Sequence, residues 1–79
     1  MMPTVLRHKG YRFFFFSLDR AEPIHIHVEK GEKYAKFWLH PISVARSRGF
    51  RDRELREIVG IIKNHVSILE ENWHEFFSC

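Results

Sequence analysis

Residues 24–40 alternate with period two on both sides of Lys30-Gly31, and no other stretch constrains the fold as strongly. Such alternation marks a β-hairpin with one apolar and one polar face. A two-residue turn at Gly31-Glu32 sets Lys30 opposite Lys33. Ile24 then faces Leu39, Ile26 faces Phe37 and Val28 faces Ala35, and all six share one side because side chains alternate across a strand. The other side carries His25 opposite Trp38, His27 opposite Lys36, and Glu29 opposite Tyr34. A slip of one residue would turn the apolar set to water, so the register is firm.

The rest of the chain must cover that apolar face. Its 79 residues make one small domain, residues 1–79. Eight Phe and two Trp supply large core pieces. Thr4–His8 reads as a strand, Lys9-Gly10 as a turn, and Tyr11–Ser17 as a second strand. Phe13 to Phe16 do not alternate, so both faces of that strand are covered at least in part, as in a central strand. Asp19 to Pro23 form a polar loop, with Pro23 forcing an extended backbone into the third strand. The expected sheet has four strands, mostly antiparallel, built from two hairpins.

His40-Pro41 ends that sheet. Pro41 suits the first position of a helix, so Ile42 to Arg46 are expected to form a short helix stopped near Gly49. Asp52 is expected to cap a long helix running to about Phe77. Leu55, Ile58, Val59, Ile62, Val66, Leu69, Trp73 and Phe76 follow the helical period, and Ile61 and Ile68 add a flanking stripe. Gly60 calls for a close backbone approach to the sheet. The class is therefore α+β, with one short and one long helix on one sheet face. A helix of this span measures roughly 39 Å, against about 23 Å for a seven-residue strand. Its last turns must overhang the sheet, fold round its edge, or meet a second copy, and the last option implies a homodimer.

A single cysteine, Cys79, allows no intrachain disulfide and points to a reducing compartment such as the cytoplasm. No apolar run approaches the roughly 20 residues of a membrane span. The start of the chain has no signal-peptide pattern.

Several segments together resemble one family. They are Met2-Pro3-Thr4-Val5-Leu6-Arg7, Gly10-Tyr11-Arg12-Phe13-Phe14-Phe15, Glu22-Pro23 with His25-Ile26-His27-Val28, Ala35-Lys36-Phe37-Trp38-Leu39 with Pro41, and Gly49-Phe50 with Glu54-Leu55. The chain is similar to the small, mostly bacterial domain-of-unknown-function family numbered 4160. Members resemble components of toxin–antitoxin cassettes, so the resemblance implies a cognate partner protein and a regulatory or toxin role. The chain departs from the family where Ile24 replaces a second proline, His40 an acidic residue, and Arg51 a serine helix cap. The paired histidines are untouched.

Two constellations can carry chemistry. His25 and His27 project from one strand face, about 6–7 Å apart at their Cα atoms. As base and acid, with Lys36 stabilising an anionic phosphorane, they could cleave RNA. They could also ligate a metal with Glu29, or His40 from the next strand's end. No cysteine cluster or third ligand at a diagnostic spacing supports that, so no cofactor is expected. Against both stands a structural role, packing on Trp38. The second constellation is Arg46, Arg48, Arg51, Arg53 and Arg56, around the start of the long helix. Arginines beside a helix N-terminus favour phosphate, and hence RNA or DNA. Equally they could line a solvated face, with local pairs such as Arg53–Glu57, or dock an acidic protein. Tyr34 and Trp38 could stack a base, meet a protein, or lie under the Phe-rich strand. Two function classes follow. One is a non-enzymatic cassette component binding a cognate protein and nucleic acid; the other is a small ribonuclease-like toxin using His25 and His27.

Overall fold

The structure, a computed structural model, describes residues 4–16 and 21–77. Expectations placed on Met2, Pro3, Ser17, Asp19, Arg20 and Cys79 lie outside the described residues. Five strands and one helix follow in chain order: β1 (Thr4–His8), β2 (Tyr11–Phe14), β3 (His25–Lys30), β4 (Lys33–Leu39), β5 (Ile42–Arg48) and α1 (Asp52–Phe77). The strands form one antiparallel meander in the order β1-β2-β3-β4-β5.

The β3–β4 register is the one the alternation dictates. His25 pairs Trp38, Ile26 pairs Phe37, His27 pairs Lys36, Val28 pairs Ala35, Glu29 pairs Tyr34 and Lys30 pairs Lys33. Gly31 takes φ +62°, so a glycine stands at the first turn position, where the two-residue hairpin needs a positive φ. Ile26, Val28, Ala35, Phe37 and Leu39 are buried with Tyr11, Phe13 and Phe15 against Ile58, Ile61, Ile62, Leu69 and Trp73 of α1. Each large side chain enclosed in this layer contributes about 1.5–3 kcal/mol.

The sheet has five strands rather than four, and one helix among the described residues rather than two. The expected short helix over Ile42 to Arg46 is strand β5. Ile42 and Val44 pair with Leu39 and Phe37 and so share the helix-facing side. Ile, Ser and Val are poor helix formers and suit a pleated edge. That alternation outweighs the helix-start preference of Pro41, and the chain turns at His40-Pro41, whose peptide is cis. A bulge opposite Lys36/Phe37 leaves Ala45 as the extra residue of β5.

The helix begins one residue away from the expected cap. The Arg51 carbonyl accepts the Leu55 N–H at 2.9 Å, and the Glu54 carboxylate accepts the Arg51 N–H at 2.9 Å. Arg51 is thus the N-cap position, where the family resemblance placed it. Glu54 supplies the reciprocal half of a capping box, and Asp52 sits in the first turn. Glu54 also takes the Lys33 ammonium at 2.7 Å, tying the β3–β4 turn to the helix start. The Arg51 N–H first, then Lys33, lower the Glu54 pKa. Gly49 holds φ +90° at the β5–α1 turn, and a Cβ there would sit 3.2 Å from Lys33 Cγ. Gly60 does not approach the sheet, for a Cβ there would meet nothing within 4 Å.

The helix resolves its excess length by bending. His65 has non-helical φ/ψ of −127° and 15°, and its Nδ1 lies 2.8 Å from the Ile61 carbonyl. A carbonyl only accepts, so Nδ1 carries the proton and competes for an oxygen of the helical ladder, a recognised cause of kinks. Beyond the bend, Trp73, Phe76 and Phe77 close on Phe15, with ring centroids 5.2, 6.4 and 6.2 Å away. The overhang that suggested a homodimer is thus used within the chain. No helix among the described residues is long and apolar enough to cross a membrane.

Tyr11 ties β2 to α1. Its buried hydroxyl donates to Glu57 Oε1 at 2.8 Å. Burial first, then the Glu57 carboxylate, push its pKa from 10.0 to about 12. The unfolded chain ionises first, so this contribution is complete below pH 10.0 and is lost as pH climbs toward about 12. Tyr11→Phe should remove that alkaline loss and cost about 0.5–1.5 kcal/mol at neutral pH. Urea denaturation across a pH series measures both.

Candidate functional site

The sheet face turned away from α1 carries nearly all the candidate residues. Register places Arg12 and Phe14 of β2, His25, His27 and Glu29 of β3, Tyr34, Lys36 and Trp38 of β4, and Arg46 and Arg48 of β5 on that side. It divides into an enclosed half and an open half.

The enclosed half contains the histidines. They do not face solvent as the alternation suggested: His25 is 0% and His27 4% exposed. The Phe run supplies the cover. Phe13 and Phe15 point into the helix-side core, while Phe14 and Phe16 lie on the other face, their rings 5.4 and 4.5 Å from the His27 ring. His25 meets Trp38 at 5.6 Å and, from the bent end of α1, Trp73 at 5.2 Å. The two imidazoles are 5.0 Å apart, edge to face.

Their hydrogen bonds fix them. His25 Nδ1 lies 2.8 Å from the Pro23 carbonyl and therefore donates to it, and its Nε2 is 3.8 Å from Glu22 Oε1. His27 Nδ1 is 2.7 Å from the Tyr34 hydroxyl. Lys36, 9% exposed, donates to Glu22 Oε1 and lies 4.7 Å over the Trp38 ring. His25, His27 and Lys36 are thus brought together, inside a network of rings and a carboxylate. Glu29 is bonded instead to Arg12 at 3.1 Å. His40 stands off, on the β4–β5 turn, paired with Glu70 of α1. Among the described residues, no three His, Cys, Asp or Glu converge as a metal site.

The open half spans β4 and β5. Phe16, Tyr34, Arg46 and Arg48 line one concavity of about 480 Å³; Phe14, Phe16, Glu29, Tyr34 and Arg48 border an adjoining one of about 540 Å³. The Arg48 guanidinium lies 5.8 Å from the Tyr34 ring centroid. Arg46 and Arg48 are exposed. Two of the five arginines, Arg46 and Arg48, line this concavity, and Arg56 lines a different one on the helix side. Arg46 and Arg48 look out from the sheet, whereas Arg51, Arg53 and Arg56 surround the start of α1. Glu57, offered above as a local partner for Arg53, accepts from the Tyr11 hydroxyl and pairs with Lys9. Sequence reasoning did not assign Phe16 and Arg12 to this site, though the double-sided Phe run was the signal for the first.

A structural contribution from the histidines is measurable. His25→Ala would leave a hole among Trp38, Trp73 and His27 and remove the donor to Pro23. We expect a loss of about 2–4 kcal/mol in urea denaturation. A change below about 0.5 kcal/mol would show that the ring is not part of the packing.

Residues 10–74 match the family described as a domain of unknown function, DUF4160, and the chain belongs to that family. No curated protein and no solved structure matches it.

Proposed function

We propose that this DUF4160 member is a non-enzymatic binding component of a toxin–antitoxin-type cassette, and that the open half of its sheet takes single-stranded nucleic acid. The observation that carries the binding mode is the concavity of Phe16 and Tyr34 flanked by Arg46 and Arg48. Aromatic rings offer stacking to any base, at about 1–3 kcal/mol per base. Guanidinium groups beside them meet the phosphates and release counterions. The cassette role, with its cognate protein and a cytoplasmic setting, is supported by the family resemblance and the single cysteine.

The ribonuclease reading is the weaker one. A general acid or base must come within hydrogen-bond reach of the proton it transfers. Here His25 Nδ1 donates to Pro23, His27 Nδ1 contacts Tyr34, and both rings lie buried beneath aromatic side chains. Binding has the access it needs, because Tyr34, Arg46 and Arg48 line open surface.

Fluorescence anisotropy with labelled single-stranded RNA and DNA tests the reading. Arg46→Glu with Arg48→Glu should weaken binding by about tenfold or more and flatten its salt dependence by roughly two phosphate contacts. Tyr34→Ala should weaken binding with the salt slope unchanged. Binding that is absent at low salt, or indifferent to the arginine pair, would overturn the reading.

A further inference from the structure

Among the described residues, strand β5 ends the sheet, paired with β4 on one side only. All its residues beyond Ile42 are exposed. An edge of this length presents a row of backbone donors and acceptors to any extended chain. Beside it, on the helix side, runs a groove of about 540 Å³. Val44, Leu55, Val59 and Gly60 form its apolar floor, and Asp52, Arg56 and Lys63 its rim. Val44 is 44% exposed, one of two large apolar side chains so exposed among the described residues. Gly60 keeps this groove open, since a Cβ there would meet nothing within 4 Å.

Charge selects the occupant. Residues 42–48, Ile-Ser-Val-Ala-Arg-Ser-Arg, contain no carboxylate. Two copies pairing edge to edge would place four arginines on one two-stranded surface with nothing to neutralise them, and like charges across a ladder repel. A second copy of this chain is therefore a poor fit. A partner strand with apolar side chains on one face and carboxylates on the other fits both sides at once. Its apolar positions would lie over Val44, Leu55 and Val59, and its acidic positions beside Arg46 and Arg48.

We propose that β5 is a docking edge for an extended acidic segment of a partner protein, which adds a sixth strand to the sheet and fills the Val44–Leu55–Val59 groove. Backbone pairing gives such additions their affinity and alternate side-chain pockets their specificity. The groove lies on the opposite face from the concavity assigned to nucleic acid, so this inference stands without that reading. The two meet at Arg46 and Arg48: partner carboxylates would neutralise the groups that phosphates need, making the two ligands competitive.

The probe is a short synthetic peptide alternating valine and glutamate, with two controls. One control carries lysine for glutamate, and the other has N-methylated backbone amides on the pairing edge. NMR titration should shift the amides of residues 42–48 together with Leu55 and Val59. Affinity should fall about fivefold or more with Val44→Ser, and about tenfold or more with Arg46→Glu and Arg48→Glu combined. Neither control should bind. Val44→Ser should leave RNA binding unchanged, which separates the two sites. No shift in β5 at millimolar peptide would overturn the proposal, and so would equal binding of the N-methylated peptide. Dimerisation through β5 in sedimentation would assign the edge to a second copy and overturn it as well.

Discussion

The β3–β4 ladder is the constraint on which the rest depends. Six residue pairs, from His25↔Trp38 to Lys30↔Lys33, fix which side of every neighbouring strand is inside. Because the side-chain period is two, that one register propagates through the meander. Phe13 beside Val28 must then point at the helix, and Phe14 beside His27 must point away. On the other flank, Phe37 beside Val44 and Lys36 beside Arg46 split β5 between an apolar groove and a basic face. Glu54 secures the same hairpin from outside, holding Lys33 with one oxygen and the Arg51 N–H with the other.

Helix α1 can cover only one face of the five-stranded sheet, and the chain meets this by covering half of the second face with aromatic rings. Phe14, Phe16, Tyr34, Trp38 and Trp73 surround His25 and His27. Imidazole suits such a place because it packs as a ring and still satisfies a carbonyl or hydroxyl. Lys36 reaches the same region with its stem buried and its ammonium on Glu22, a geometry that suits a long amphipathic side chain. The bend at His65 belongs to this arrangement, since it brings Trp73 over the sheet's end. The polar side of the alternating hairpin is thus polar in composition and largely dry in location.

The hairpin register, the long helix and the double-sided Phe strand were legible in the sequence because each rests on local periodicity. Burial of the histidines was not legible in the same way. It depends on which residues of β2 face His27, which is a relation between strands. Strand β5 was not legible, because only Ile42-Ser43-Val44 alternates and Pro41 before it favours a helix start. The helix cap failed by one residue because Asp52 is an intrinsically better N-cap than Arg51, while the Glu54 half of the box decides the geometry. Of the candidate residues, Tyr34, Arg46 and Arg48 meet in one open concavity. His25, His27 and Lys36 also meet, but under cover.

The arginines of β5 have two physical explanations, and these are compatible. Charged side chains and a bulge are the ordinary protection of an exposed edge against self-pairing, and β5 has both. Such protection is selective, because it repels chains of like charge and leaves the backbone edge open to carboxylates. Mere protection would not require an apolar floor beside the edge, nor Val44 left half-exposed above Leu55 and Val59. Solvating the edge alone would be served by polar residues on both of its faces. One face is instead apolar and hollow and the other basic and aromatic, so the strand discriminates among ligands on each side by a different property. Area removed from water favours what enters the groove, and Coulomb attraction favours what meets Arg46 and Arg48.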